Sequence, residues 1–585
     1  MDPNTLDAIL PRRLPKPLAP AARRLLALDD LRDTYRALQQ TASPDSLAER
    51  LLHHLQIRII SAGDDLNKIP ARGPAVVFAN HPYGVLDGAV LAALLLRRRA
   101  DLKVLAHRAL AEVPELAGLI VPVDVDDGSL SLTAVRSALR HWQKGGLLLV
   151  FPAGEVAHFE WSRGRVADPA WQPGLARLLE LAVKSRCRPA LIPVHIDGRN
   201  SALFQGMGLV HPKLRTALLV RELLNKRGRK VTVRVGHPIA AENALAHGSP
   251  EACTRYLRWR VDLLSQRGAA KADTRKSIFR SPMRPAQPLA APVDPRLVAA
   301  DIQALPPGAL LLQSGEWRVF LARAAQIPAV LQEIGRLREL TFRAEGEGTG
   351  RAIDLDRFDW HYAHLFLWNT QREEIAGAYR LAVTQDVVRE RGLDGLYTAT
   401  LFRFGTAFLD RVGPSIELGR SFIRAEYQRA FAPLLLLWKG IGLFVSQRPE
   451  CHSLFGPVSM SRSYQPLSRD LMVRFFERCG AMADWAHLVQ PRLAPPPTRT
   501  PEWCHGLDDL SDAIADLEPD RAGVPVLLRH YVRLGGHLLG FNLDPEFSNA
   551  LDGLILVDLR RTEPRLLAKY LGPESAARIL APHRS

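Results

Sequence analysis

The stretch Asn80-His81-Pro82-Tyr83-Gly84-Val85-Leu86-Asp87-Gly88 sets a histidine and a carboxylate close together in a glycine-containing turn. It follows the apolar run 75–79, which predicts a buried strand, and precedes residues 89–96, which predict a helix. A carboxylate that accepts from one imidazole nitrogen leaves the other to take a proton from a hydroxyl, which makes a general base. On these residues alone a structural reading competes: Asp87 caps the helix while Pro82 and Gly84 shape an ordinary turn. Two further strand ends weigh toward a site. Phe151-Pro152-Ala153-Gly154-Glu155 follows the apolar residues 147–150, and Ile192-Pro193-Val194 closes another run. Strand ends of this kind gather at the carboxyl edge of an α/β sheet.

The elements that must hold these residues alternate. Segments 104–107, 119–123, 146–151, 189–195 and 230–235 read as strands, and 130–142, 175–183 and 254–266 as helices. Residues 21–40 and 46–60 carry apolar residues at helical spacing, with Ser43 and Asp45 as caps. The organisation expected is a helical segment over 1–64, an α/β domain over 65–267, a Pro/Ala/basic linker over 268–299 and a second α/β domain over 300–585.

Composition bounds what these domains do. At about 100–200 residues per domain, 585 residues make two or three, each with its own core. The five cysteines are scattered without ligand spacing, against a disulfide framework and against zinc, so no metal is expected. No apolar run approaches the roughly 20 residues that span a bilayer, and no export signal is visible. The expected location is the cytoplasm, peripheral at the inner membrane face. A net charge of +16 attracts anionic partners, whether nucleic acid, an anionic membrane surface or an acidic protein.

His81 and Asp87, then Pro122, then Phe151-Pro152-x-Gly154, then Pro193-Val194 resemble, in order, the four blocks of the glycerolipid (lysophosphatidate-type) O-acyltransferases. The resemblance covers residues 65–240. It implies that His81 deprotonates an acceptor hydroxyl, that Asp87 orients it, that Gly154, Glu155 and Pro193 line the substrate, and that backbone amides near Gly154 stabilise the oxyanion. Three departures matter. Five residues rather than four separate His81 from Asp87, and the carboxylate of the third block stands at Glu155 rather than at position 153. The second block, Pro122-Val123-Asp124-Val125, lacks the arginine that grips an acceptor phosphate. Arg163 and Arg165 are its only nearby substitutes. A lyso-lipid with another headgroup fits better.

In the second half, Arg338-x3-Phe342, Asp356-x2-Asp359, Arg380 and Glu417-x2-Arg420 each have a surface or turn reading when taken singly. Together they resemble the acyl-homoserine-lactone synthases and the related ornithine lipid N-acyltransferases, of GNAT-like fold, over residues 315–570. The resemblance implies amine acylation, with Glu417 as base, Asp356 and Asp359 holding the amino group, and Arg380 and Arg420 holding a carboxylate or keeping the acids ionised. Residues 428–433 lack the glycines that cradle a coenzyme A pyrophosphate. Acyl carrier protein is therefore the preferred donor over acyl-CoA, and no bound cofactor is expected.

Both resemblances imply a bifunctional ornithine lipid synthase. The C-terminal domain N-acylates an amino acid, ornithine first, with a 3-hydroxyacyl group, and the N-terminal domain esterifies the 3-hydroxyl of that lyso-lipid. Two alternatives stay open: a lysophospholipid acyltransferase with a regulatory C-terminal half, and a non-enzymatic basic membrane- or nucleic-acid-binding protein.

Overall fold

The computed structural model describes residues 26–40, 43–123, 130–161, 164–267, 286–428, 430–478, 486–497 and 503–581. The chain divides into two units. One comprises Met1–Ala272 with Ser511–Arg521, and the other Asp273–Leu510 with Ala522–Ser585. Both are α/β, as the alternation of patterns predicts.

The first unit is built on a seven-stranded sheet. Its strands are β1 (Arg58–Ile60), β2 (Ala75–Ala79), β3 (Leu102–His107), β4 (Ile120–Val123), β5 (Leu147–Val150), β8 (Ala190–Ile196) and β9 (Lys230–Val235), in the order β1-β9-β8-β2-β5-β3-β4. A separate hairpin, β6 (His158–Glu160) and β7 (Arg165–Ala167), follows β5 in the chain. From β8 to β4 neighbouring strands are parallel, whereas β9 runs antiparallel to β8. All five residues of β2 are buried, which is why this run is unbroken apolar sequence: a central parallel strand is covered on both faces.

Local readings change. Helix α1 (Leu28–Gln40) follows a turn at Leu26 and Ala27, residues 21–25 of the expected helix lie outside the described residues, and residues 46–60 are not one helix. Helix α2 (Leu47–His54) carries a capping box at Ser46 and Glu49, the chain then turns with Gln56 at φ 51, and β1 joins the sheet edge. The isoleucine-rich stretch 57–60, with Arg58 as its one charged residue, pairs with β9 more favourably than it extends a helix. Helix α3 starts at Val85 rather than residue 89 and runs to Leu96, so Asp87 lies in its first turn.

Ser511–Arg521 belongs to the first unit although the sequence places it in the second half. Asp516 is fully buried there, accepting from the N–H and Nδ1 of His237 (3.0 and 2.8 Å) and from Arg260 (3.1 Å), with Lys68 at 3.4 Å and Arg267 at 3.5 Å. A buried anion among several cations is stable only while every member is present.

The second unit carries an eight-stranded sheet. It comprises β10 (Leu310–Ser314), β11 (Trp317–Arg323), β12 (Ala363–Asn369), β13 (Glu374–Val383), β15 (Ser415–Ile423), β16 (Ser453–Met460), β18 (His537–Asp544) and β19 (Ala550–Asp558), ordered β10-β11-β12-β13-β15-β16-β19-β18. Strands β14 (Phe402–Phe404) and β17 (Val489–Pro491) form a small second sheet. Adjacent strands are antiparallel except β15 and β16, which pair in parallel only over Ser415–Glu417 and Ser453–Phe455 and then part. Helix α4 (Pro328–Ala344) packs the apolar face of Val330, Ile334 and Leu337 against Phe366 and Phe422 of this sheet. The expected linker lies outside the described residues up to residue 285. Beyond that point Gln287 and Ala290 donate backbone hydrogen bonds to Gly350 and Ala352, and Pro295–Ala304 is helical, so its C-terminal part belongs to the fold.

Candidate functional site

Gly84 ends the loop after β2 with φ +91, a conformation that favours glycine, and a Cβ there would press on Leu219 at 2.9 Å and Val156 at 3.2 Å. That turn brings Asp87 back under the loop. Its Oδ2 accepts the N–H of Tyr83 (2.8 Å) and of Gly84 (2.9 Å), and His81 Nδ1 lies 3.0 Å from the same oxygen. The imidazole contact is close without being an aligned hydrogen bond, while the same Oδ2 accepts the two amides. Asp87 thus caps the helix and also faces the histidine. His81 keeps 18% of its side chain exposed and stacks on Phe151, with ring centroids 4.2 Å apart.

Other residues set the histidine in place. Asp168 accepts the His81 backbone N–H (3.1 Å) and the Trp171 indole N–H (2.9 Å), and burial raises its pKa. Asn80 clamps the end of β2 to β8, donating to the Ile196 carbonyl (2.9 Å) and accepting its N–H (2.7 Å). Asn80 stands beside His81 in the sequence, yet its role depends on a strand more than a hundred residues away; Asp168 carries no local signal at all.

The remaining expected residues of this half are placed less directly. Gly154, at φ +68, donates its N–H to the Phe151 carbonyl (3.0 Å), so that amide serves the turn. Glu155 pairs with Arg215 at 2.6 Å. Pro193 pairs with Phe78 inside the sheet, and its ring packs on Gly236 on the side where Asp516 lies, so it is a core residue of the unit. Arg165 is exposed at the start of β7; Arg163 and Asp124 lie outside the described residues.

In the second unit the expected charged residues converge. Asp359 takes a two-pronged pair from Arg338, both bonds 2.9 Å, and lies 3.2 Å from Arg380. Asp356 accepts from Arg380 at 2.6 Å and from Arg420 at 3.3 Å. Burial pushes both carboxyls up, but the guanidiniums outweigh it and leave both below the ordinary range. The cations sit in aromatic walls: Arg380 over Tyr397 (5.1 Å) and Tyr362 (5.2 Å), Arg420 over Phe547 (4.1 Å) and Tyr397 (4.7 Å). Arg420 holds φ 49 where β15 is out of register with β13, a strained backbone of the kind kept at functional sites.

These groups open on a cavity of about 360 Å³ lined by Asp354, Asp356, Phe358, Tyr397 and Arg420, with residues 542–547 opposite. Glu417 does not line it. Its side chain is 1% exposed, accepts from Thr398 N–H (2.6 Å), Tyr397 N–H (3.3 Å) and the Tyr362 hydroxyl, and has its pKa raised by burial. Glu417, expected as the base either directly or through water, is enclosed and does not reach that cavity. It holds instead the loop that presents Tyr397 to the cavity. Tyr362, Tyr397 and Phe547 were not singled out from sequence, because single aromatic residues far apart in the chain carry no pattern.

No group of three or more His, Cys, Asp or Glu among the described residues is placed to hold a metal ion. No helix among them is long and apolar enough to cross a membrane.

Residues 10–270 match the sequence model of a family described as acyltransferase, and residues 337–439 that of the acetyltransferase (GNAT) domain. Two curated relatives are each described as a glycine N(alpha)-acyltransferase. That of Bacteroides thetaiotaomicron is 38% identical over 172 residues, 28% of this chain and 51% of the relative. That of Phocaeicola vulgatus is 40% identical over 162 residues, 26% of this chain and 50% of the relative. The chain thus spans about half the length of the curated relatives it matches. Among solved structures, the 1-acyl-sn-glycerophosphate acyltransferase of Thermotoga maritima is similar at 18% identity and TM-score 0.24, over 44% of this chain and 93% of that one. A CoA-dependent acyl-homoserine lactone synthase is similar at 14% identity and TM-score 0.22, over 44% and 97%. The chain thus matches an acyltransferase model through most of its N-terminal half and a GNAT-domain model within its C-terminal half, each half an α/β unit.

Proposed function

We propose that the two domains perform consecutive steps in making an amino-acid-containing membrane lipid. In the second unit the α-amino group of a free amino acid, once deprotonated, attacks the carbonyl of a 3-hydroxyacyl thioester; the C–N bond forms, the C–S bond breaks and the thiol leaves. Asp356, held ionised by two guanidiniums at the cavity wall, receives the ammonium group, and Arg420 faces the carboxylate of the same amino acid. Glu417 acts through Tyr397 and Thr398 as a positioning residue.

In the first unit the 3-hydroxyl of the product is the nucleophile. His81 Nε2, the ring nitrogen turned from Asp87, takes the hydroxyl proton as oxygen attacks a second acyl thioester, and returns it to the departing thiolate. Nδ1 carries its proton toward Asp87, which stabilises the imidazolium formed during transfer. The donor of preference is acyl carrier protein, whose acidic surface suits a chain of net charge +16. The protein works at the cytoplasmic face of the inner membrane, where its acceptor resides.

The single observation that carries this reading is the Asp356–Arg380–Arg420 cluster opening on a cavity in the GNAT domain, on the same chain as a histidine–aspartate pair. Glycine is the first acceptor to test, since the relatives are described as glycine N(alpha)-acyltransferases, with ornithine beside it. The experiment is mass spectrometry of lipids from a host without aminolipids that expresses the chain. Wild type is expected to produce a di-acylated aminolipid, His81→Ala its mono-acyl precursor, and Asp356→Asn neither. Turnover of lysophosphatidate without any aminolipid would reject the reading in favour of a lysophospholipid acyltransferase.

A further inference from the structure

Helix α5 (Ala202–Val210) contains no charged residue, and one face of it, Ala202, Leu203, Gly206 and Leu209, points to solvent. Its other side is anchored: Phe204 is fully buried against Val156 and Leu218. Leu203 is 41% and Leu209 52% exposed, and Leu214 on the next helix, which packs against α5, is 38% exposed. The β6–β7 hairpin adds Trp161, 77% exposed and edge-on to Phe159, whose N–H is held by Gln205 of α5 at 2.9 Å. A scattered exposed leucine is ordinary, but several large apolar side chains on adjoining elements mark an interaction surface.

The partner is indicated by charge and by place. Residues 199–221 contain Arg199, Lys213, Arg215 and Arg221 and no acidic residue. Arg199 is exposed ahead of the helix and Arg165 on the hairpin, while Arg215 is buried against Glu155; an apolar helix face with exposed cations near it is the composition of a segment that lies in the headgroup layer of an anionic bilayer, where tryptophan also partitions. This surface is one layer from the catalytic histidine: Ala157, next to Val156, donates its N–H to the His81 carbonyl at 2.8 Å, and Val156 backs Gly84.

We infer that Leu203, Leu209, Leu214 and Trp161 form the surface by which the first unit seats on an anionic membrane, bringing His81 to a lipid acceptor that never leaves the bilayer. The inference rests on the proposed lipid acceptor for its purpose, but not for its test. Full-length protein is sedimented with phosphatidylcholine vesicles with and without phosphatidylglycerol. Wild type is expected to bind the anionic vesicles, less so as salt is raised. Leu203→Ser with Leu209→Ser is expected to lower that partitioning at least about tenfold. Leu181→Ser, at a leucine 43% exposed on another helix of the same unit, is expected to leave it unchanged. Trp161→Ala is the second probe should the double variant melt early, and is expected to weaken binding in the same direction. Equal binding by wild type, the double variant and Trp161→Ala overturns the inference, as does a wild type that does not bind. Retained vesicle binding with loss of carrier-dependent turnover would assign the face to the carrier protein and equally overturn it. Binding that follows this pattern in a protein that makes no aminolipid would leave the docking surface standing and reject only the proposed function.

Discussion

One oxygen of Asp87 faces three nitrogens: it accepts the backbone N–H groups of Tyr83 and Gly84 and lies 3.0 Å from His81 Nδ1. Cap and proposed catalytic partner are thus a single carboxylate. His81→Ala should lower O-acyl transfer by about 10²–10⁴ with N-acylation and melting unchanged. Asp87→Asn should lower O-transfer and also cost about 1–2 kcal/mol of stability through the lost cap. Acyl-transfer assays of each step, run beside thermal melts, separate the two effects.

Asp356 and Glu417 should respond differently. Asp356→Asn removes the charge at the cavity wall and is expected to abolish N-acylation with little change in melting temperature, Arg380 and Arg420 keeping Asp359 and Asp354 as partners. Glu417→Gln keeps the shape but offers one acceptor oxygen to donors that now use two, and should cost about 1–3 kcal/mol. Its transfer rate should fall together with melting temperature. A collapse of kcat at unchanged stability would restore Glu417 as the base itself.

The pH dependence of the first unit should carry the signature of Asp516. Burial raises this carboxyl, but the His237 hydrogen bonds and the charges of Arg260 and Lys68 prevail and hold it at about 2. A depressed acid contributes stability that is fully present above its unfolded value, about 3.9, and lost as pH falls toward the folded one. The contribution is on the order of 2 kcal/mol, present at neutral pH and fading between about pH 4 and 2. Asp516→Asn should remove that acid-side slope and, by leaving Lys68, Arg260 and Arg267 short of an anion, destabilise the unit by about 3–5 kcal/mol at pH 7. Thermal unfolding of the full chain against pH checks both.

Gly84→Ala is expected to cost about 1–3 kcal/mol, because φ +91 and contacts at 2.9 and 3.2 Å leave a methyl group no place. The loop would shift His81 relative to Asp87, so O-transfer should fall while N-acylation persists. A crystal structure or the two transfer rates would show it.

Much of this protein was legible in its residues. Alternating apolar runs specify strands and helices locally, and β2, α3, β5 and β9 sit within a few residues of where periodicity puts them: β2 and β5, buried throughout, must be apolar throughout, while β9 alternates between buried and more exposed residues. The acids and arginines of the GNAT half were also legible as a set, and they do meet. What the tertiary structure decided was everything that depends on which segments face each other. Glu417 is enclosed because the 397–398 loop folds over it. Pro193 lies in the sheet because its strand continues past it to Ile196. Asp516 belongs to a unit whose other part is residues 1–272, since only burial among distant cations makes one of the four aspartates of its helix an anchor. Local sequence sets periodicity and caps; the partners of a buried charge are set by packing.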